Sequence, residues 1–173
     1  MTMLPGKMYA QDAMLANIIV TNTRDDLLLY LSVRNAFPSK IERAIDSGVP
    51  ATFSIFINLY RVRSFWPDKQ IVEVDVTHSI KFDNLKKEYI VTRSWEENRS
   101  QAVKSFKEAK KLMTEIDSLA VVPLSQLEKG MQYQISTKAK LSKLTLPLYL
   151  HYVLFFVSLW DIETDWYTID FIY

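Results

Sequence analysis

Two histidines are the only side chains in the sequence that could act as imidazole bases or imidazole metal ligands. His78 falls on the apolar side of an alternating stretch, and His151 lies inside an apolar run. Neither belongs to an HExxH zinc motif or stands beside a serine-nucleophile motif. A lone histidine on an apolar face is more often a hydrogen-bonded core residue than a catalytic one. We therefore expect both to be structural.

Three carboxylates alternate along the chain near its C-terminus, at Asp161, Glu163 and Asp165. They could supply oxygen ligands for calcium or the acid and base of a hydrolase, but the glycine and terminal glutamate of a calcium loop are missing. A solvated acidic turn is the preferred interpretation. The sequence has no cysteine, which excludes disulfides, thiolate metal sites and cysteine nucleophiles. We expect no enzymatic activity, no cofactor and no metal.

The candidate binding site is an edge that combines arginine with tryptophan. Arg61 and Arg63 follow an apolar run on one strand face and come just before Trp66. Because guanidinium groups bind carboxylates and phosphates and stack on rings, this edge could bind such groups. The alternative is a strand that runs past the core and pairs its arginines with Glu73 or Asp75 across the turn.

Each of the four tryptophans lies next to a predicted strand end or turn. Tryptophans in such places could form a binding rim, although at the ends of a sandwich they more often close the core. We add Trp95 to Arg61, Arg63 and Trp66 as a candidate binding residue. The four tryptophans of the sequence are Trp66, Trp95, Trp160 and Trp166.

Long alternating strands must position these residues. From Ile71 to Phe82, apolar and polar residues alternate strictly, apart from His78, which is typical of a strand with one buried face. The stretch Val49–Trp95 contains three such strands and organises the chain. Further apolar or alternating runs bring the expected number to about seven. The predicted strands cover residues 15–20, 27–33, 51–64, 71–82, 88–95, 131–141 and 167–173.

Two helices complete the prediction. The first runs from Ser39 to Ser47 and ends at Gly48, and the second is an amphipathic cover helix over residues 101–117. Together these patterns predict an α+β fold, mainly antiparallel β, either sandwich-like or one strongly curved sheet. We expect a flexible N-terminal segment at residues 1–14 and a single β-rich domain over residues 15–173.

The composition narrows the choice of partners. The formal charge is +1, from 21 basic and 20 acidic residues, so no overall field favours nucleic acid. The apolar stretch Leu144–Trp160 is interrupted by Pro147 and is shorter than the roughly 20 apolar residues of a spanning helix. The first residues lack the apolar run of a signal peptide. We therefore expect no transmembrane segment; the oligomeric state stays open.

Three segments resemble a bacterial family, domain-of-unknown-function family 4390. They are RAIDSGVPATFSIFINLYRVRSFW (43–66), FKEAKKLM (106–113) and LTLPLYLHYVLFFVSLWDIETDWYTIDF (144–171), which contains Ser158 and Trp160. The resemblance implies an exported protein, periplasmic or otherwise extracytoplasmic, although the export signal is not seen here. Some members are encoded near membrane sensor kinases of the nitrogen-regulation type. The family offers no enzymatic residues to carry over.

Two functional hypotheses follow. The first is a non-enzymatic extracytoplasmic binding or accessory domain that meets a membrane-associated signalling protein, such as a sensor kinase, through the arginine–tryptophan edge. The second is a carrier of an apolar ligand or lipid, held between the sheet and its cover helix or beneath Leu144–Trp160.

Overall fold

The computed structural model describes residues 13–142 and 162–173. Residues 1–12 of the predicted flexible segment and the whole of Leu144–Trp160 lie outside the described residues. Ala13 is buried, and the first strand begins at Met14. In the described part, nine strands and two α-helices follow in the order β1 (Met14–Asn22), β2 (Asp26–Arg34), α1 (Ser39–Asp46), β3 (Ala51–Arg61), β4 (Lys69–Asp83), β5 (Glu88–Arg93), β6 (Ser100–Val103), α2 (Phe106–Thr114), β7 (Glu115–Pro123), β8 (Gln132–Ser142) and β9 (Tyr167–Ile172).

The strands form two antiparallel sheets. The small sheet has the order β1-β2-β7, and the large sheet has the order β6-β5-β4-β3-β8-β9. Buried side chains from both sheets and both helices belong to one hydrophobic cluster. The predicted α+β, mainly antiparallel fold is confirmed. The structure adds two strands to the seven expected, β6 and β7.

β3 is central to the large sheet because it pairs with β4 on one side and β8 on the other. Its alternate side chains Phe53, Ile55, Ile57 and Leu59 are completely buried, while the residues between them are half-buried on the opposite face. This is the period of two that the sequence predicts, and it places the core on one face of the large sheet.

β2 has the same role in the small sheet, between β1 and β7. Leu27, Leu29, Leu31 and Val33 are buried against the core, and the outward residues of the strand, such as Tyr30, are half-buried. β2 is therefore the central strand of the small sheet.

α2 is shorter than the predicted helix over residues 101–117. Ser105 caps its N-terminus, because its hydroxyl accepts a hydrogen bond from the Glu108 backbone N–H at 3.2 Å. The residues before the cap, Ser100–Val103, pair with β5 instead. After the helix, Glu115 and Ile116 pair with β2. Strand pairing thus replaces the helix at both ends, although the apolar spacing continues through them.

α1 agrees with its prediction to within one residue. Its apolar side, Ile41, Ala44 and Ile45, is buried. Gly48 has φ +90°, a conformation that side-chain-bearing residues rarely adopt. The glycine therefore allows the chain to leave the helix and turn into β3.

One buried hydroxyl is left without a hydrogen bond. Thr137 on β8 is 1% exposed, and its Oγ1 has no partner among the described residues. Replacing Thr137 by valine, which has the same shape, should raise the free energy of unfolding by about 1 kcal/mol, since a desolvated and unsatisfied hydroxyl is removed. Urea unfolding of both proteins measures this difference.

Thr164 provides the matched control. Its hydroxyl is also buried, but it accepts from the Ala139 N–H at 3.0 Å and donates to the Asp165 carbonyl at 2.9 Å. Thr164→Val should therefore lower the free energy of unfolding, by about 1 kcal/mol or more. Shifts of the same sign in the two variants would contradict the prediction.

Candidate functional site

His78 is a fully engaged core residue on β4. Its Nδ1 lies 2.9 Å from the Met113 carbonyl oxygen at the end of α2, and the Trp95 indole N–H donates to its Nε2 at 2.9 Å. A carbonyl only accepts and an indole N–H only donates, so the ring is neutral and carries its proton on Nδ1. The imidazole therefore ties α2 to the large sheet and to Trp95.

The surroundings of His78 keep it neutral. The pKa of His78 is lowered to about 4, chiefly by burial. The hydrogen bond to Met113 raises this pKa, and the positive charge of Arg93 lowers it. Arg93 lies over the Trp95 ring at 5.3 Å and pairs with Glu96 at 2.6 Å. With both nitrogens bonded inside the core, the ring is structural, as the sequence indicates.

The structure separates Arg61 from Arg63. Arg61 ends β3 and pairs with Glu128 at 2.5 Å, in the loop before β8, rather than with Glu73 or Asp75. Arg63 lies beyond the strand and is exposed. The first arginine closes the end of the sheet, and only the second is presented to solvent.

Trp66 lies in the loop between β3 and β4, residues 62–68, which we call the hairpin tip. It is 75% exposed, and its neighbour Phe65 is 94% exposed. The loop has a defined base, because the Arg63 backbone N–H donates to the Asp68 carboxylate at 3.0 Å and Val62 donates to a carbonyl of β8 at 2.9 Å. The hairpin tip therefore holds two adjacent aromatic rings out in solvent.

Trp95 does not join the hairpin tip. It bonds to His78, whose partner on β3 is Phe53. Arg61 follows Phe53 by eight positions on β3, which is about 26 Å of strand. The four candidate residues thus divide into two groups: Arg63 and Trp66 lie in the exposed hairpin tip, whereas Trp95 belongs to the His78 network and Arg61 to an ion pair.

Two further apolar side chains lie at the same end of the large sheet. Val62 donates to the carbonyl of Gln132, and Gln132 pairs with Ile172. Ile172 is 76% exposed, and Met131, which precedes Gln132, is also exposed. We call the surface formed by the hairpin tip, Met131 and Ile172 the hairpin end.

The acidic residues near the C-terminus do not form a cation site in the part described. Glu163 pairs with the amino groups of Lys138 and Lys140, each at 3.2 Å, and hydrogen bonds from Lys140 and Lys138 lower the pKa of its carboxyl. Asp165 is exposed. Asp161, like His151, lies outside the described residues. No metal-binding group of side chains is found within residues 13–142 and 162–173.

Side chains fill the space between α2 and the large sheet. Ala109 and Met113 are completely buried there. The Phe106 ring contacts Phe37 and Tyr89, with centroid distances of 6.0 and 5.7 Å. The other proposed ligand position, beneath Leu144–Trp160, lies outside the described residues. No described helix is both long and apolar enough to span a membrane.

The four candidate binding residues do not include Phe65, the most exposed aromatic residue of the hairpin tip. Its exposure could have been predicted, since Phe65 stands next to Trp66 in a turn before Pro67. The hydrogen bond between Trp95 and His78 could not be predicted from the sequence, because it depends on how a residue after β5 folds back over β4.

The stability of the domain should fall as the pH drops from about 6.5 towards 4. Unfolded histidine titrates near pH 6.5 and His78 near 4, so the unfolded state binds the proton first. The contribution of neutral His78 to the free energy of unfolding is complete above pH 6.5. It is lost as the pH falls to 4, which lowers the free energy of unfolding by about 3 kcal/mol. Urea unfolding at a series of pH values measures the loss.

A His78→Gln variant separates the effect of His78 on stability from the titration of the carboxylates and of His151. Glutamine does not titrate, so the variant should be less stable at pH 7 but should lose less stability between pH 6.5 and 4. Equal losses in the two proteins over this range would rule out His78 as the source.

A comparison with known proteins places the chain in a family. A family model with the description Domain of unknown function (DUF4390) matches residues 10–170. No curated protein and no solved structure matches the chain. Because the matched region covers nearly the whole sequence, the chain belongs to the DUF4390 family.

Proposed function

We propose that this chain is a non-enzymatic binding or accessory domain that works outside the cytoplasm, at a membrane surface, where it meets a membrane-associated protein such as a sensor kinase. The observation that carries the proposal is the hairpin tip, where Phe65 is almost fully exposed and Trp66 is three-quarters exposed beside Arg63. The position outside the cytoplasm rests on the resemblance to exported proteins.

The hairpin tip has the composition of a binding surface. Single exposed apolar residues are common on proteins, but two adjacent large aromatic rings contribute nothing to the core here and expose apolar area to water. Tryptophan and arginine are the residue types that most often dominate binding energy at interfaces. Their presence together at one tip supports a role in recognition.

The loop is also preorganised for contact. The hydrogen bond from the Arg63 backbone N–H to Asp68 joins the two sides of the loop, and the bond from the Val62 N–H to the Gln132 carbonyl holds its base against β8. A fixed loop loses little conformational freedom on binding, so more of the interaction energy appears as affinity.

Two of the groups that the sequence offered for chemistry, His78 and Glu163, are already engaged. Both nitrogens of His78 are bonded in the core, and Glu163 is held by two lysines. This arrangement supports a binding domain over a hydrolase. The alternative function, a carrier of an apolar ligand, has less support, because Ala109, Met113 and Phe106 occupy the space between α2 and the sheet.

Sedimentation with bacterial membranes tests the proposal. The full chain should sediment with the membranes, and Phe65→Ser/Trp66→Ser should reduce the bound fraction about tenfold, since both anchoring rings are lost. The measurement is the fraction of protein in the membrane pellet.

The matched control is Leu85→Ser in the turn between β4 and β5, at the opposite end of β4. Leu85 is as exposed as Phe65, at 95%, so its loss removes a comparable apolar group. The control should sediment like the unchanged protein. Equal binding by the double variant and the unchanged chain would count against the hairpin tip.

A further inference from the structure

We infer that the hairpin tip binds the lipid–water interface of a bilayer directly, with Phe65 and Trp66 entering the headgroup region and nearby cationic side chains facing anionic lipid. This inference rests on the proposed function and names the partner of the same surface. It assigns to the hairpin end the task of holding the domain at the membrane, beside the protein it meets.

The side-chain types match a membrane interface. Tryptophan concentrates at the headgroup level because its ring is apolar and its N–H remains hydrated. Phenylalanine, tryptophan and leucine are the usual apolar residues of segments that lie in this region, accompanied by lysine and arginine. Phe65 and Trp66 are flanked by Arg63 and Lys69, all exposed.

Four of the nine large apolar or aromatic side chains that are exposed in the described part of the chain lie at one end of the large sheet. Phe65, Trp66, Met131 and Ile172 all belong to the hairpin end, where β3, β8 and β9 meet the loop. A surface that enters a bilayer must present its apolar groups on one side of the molecule, and this end meets that requirement.

Charge favours anionic lipid at the same place. Arg63, Lys69 and Lys129 are exposed around the tip, and none of them takes part in an ion pair within the described part of the chain. Carboxylates lie nearby as well: Glu128 pairs with Arg61, and Asp68 accepts the Arg63 backbone N–H. Asp25 and Asp26 line one cavity with Lys129, so Arg63 and Lys69 are the cations that face solvent beside the rings. Basic side chains near a membrane surface are attracted to anionic headgroups.

The size of the tip favours lipid over protein. Two aromatic rings bury about 150–250 Å² each, whereas a stable protein interface buries about 800 Å² on each partner. A narrow hairpin tip offers too little area for such an interface by itself. Entry of about 5–10 Å into the headgroup region is enough for an interfacial anchor.

A fluorophore at the tip tests this inference. Because the chain has no cysteine, Ser64→Cys gives a unique site for an environment-sensitive dye. The control site is Lys86→Cys, in the turn that also holds exposed Leu85 and Lys87. Both labelled proteins are titrated with protein-free vesicles of phosphatidylcholine, with and without phosphatidylglycerol. Unchanged thermal unfolding verifies that each variant is folded.

The expected result is an increase and blue shift of emission from position 64 and none from position 86. The apparent affinity should rise several-fold with phosphatidylglycerol and fall with salt. Adding Phe65→Ser/Trp66→Ser to the labelled protein should weaken binding about tenfold or more, because the interface anchor is removed.

Two results would overturn the inference in different ways. If position 64 responds to bacterial membranes but not to protein-free vesicles, and protease treatment of the membranes abolishes the response, a protein holds the tip and the proposed function stands without the lipid contact. If position 64 responds to neither, both the lipid contact and the membrane role assigned to the hairpin end are wrong.

Discussion

The double pairing of β3 is the constraint on which the rest of the structure depends. β3 pairs with β8 in one register throughout and with β4 in one register from Ala51 to Leu59, and its inward side chains from Phe53 to Leu59 are completely buried. A shift of one residue against either neighbour would turn Phe53, Ile55 and Ile57 towards solvent. Because every inward side chain of the strand would lose its burial, one register is strongly preferred. This register fixes the positions of residues on both neighbouring strands.

The two ends of β3 lie in different environments. Near Phe53 the sheet is covered by α2, and His78, Trp95 and Arg93 join into a buried polar network in which every group has a partner. Near Arg61 the apolar face stops, and the ion pair with Glu128 closes the sheet. Beyond that pair the chain has no core to pack against, so the side chains of the hairpin tip extend into solvent.

The sequence was informative wherever local periodicity and burial agree. The alternation in β3 and β4 predicts their buried faces, and the apolar side and glycine stop of α1 predict that helix. It failed over residues 101–117, where the helical spacing extends into segments that the neighbouring strands capture as β6 and β7. Pairing with a distant strand has no signature in local spacing.

The candidate site shows the same limit. Arg61 and Glu128 are 67 positions apart, and His78 meets a carbonyl 35 positions away. Such contacts depend on strand order, which alternation does not encode. The exposure of the turn before Pro67 is a local property, and it is the part of the candidate site that the sequence could indicate.

Trp66 and Trp95 look alike in the sequence, since each follows a strand, but they contribute to different properties of the protein. Trp95 donates a hydrogen bond to a buried histidine and covers an arginine, so its removal would leave an unsatisfied nitrogen in the core. Trp66 makes no comparable contribution to folding, because three-quarters of its surface is in water. A large aromatic residue that adds little to stability still adds apolar area to the surface. This contrast is the physical basis for the contact outside the chain that we propose for Trp66 and Phe65.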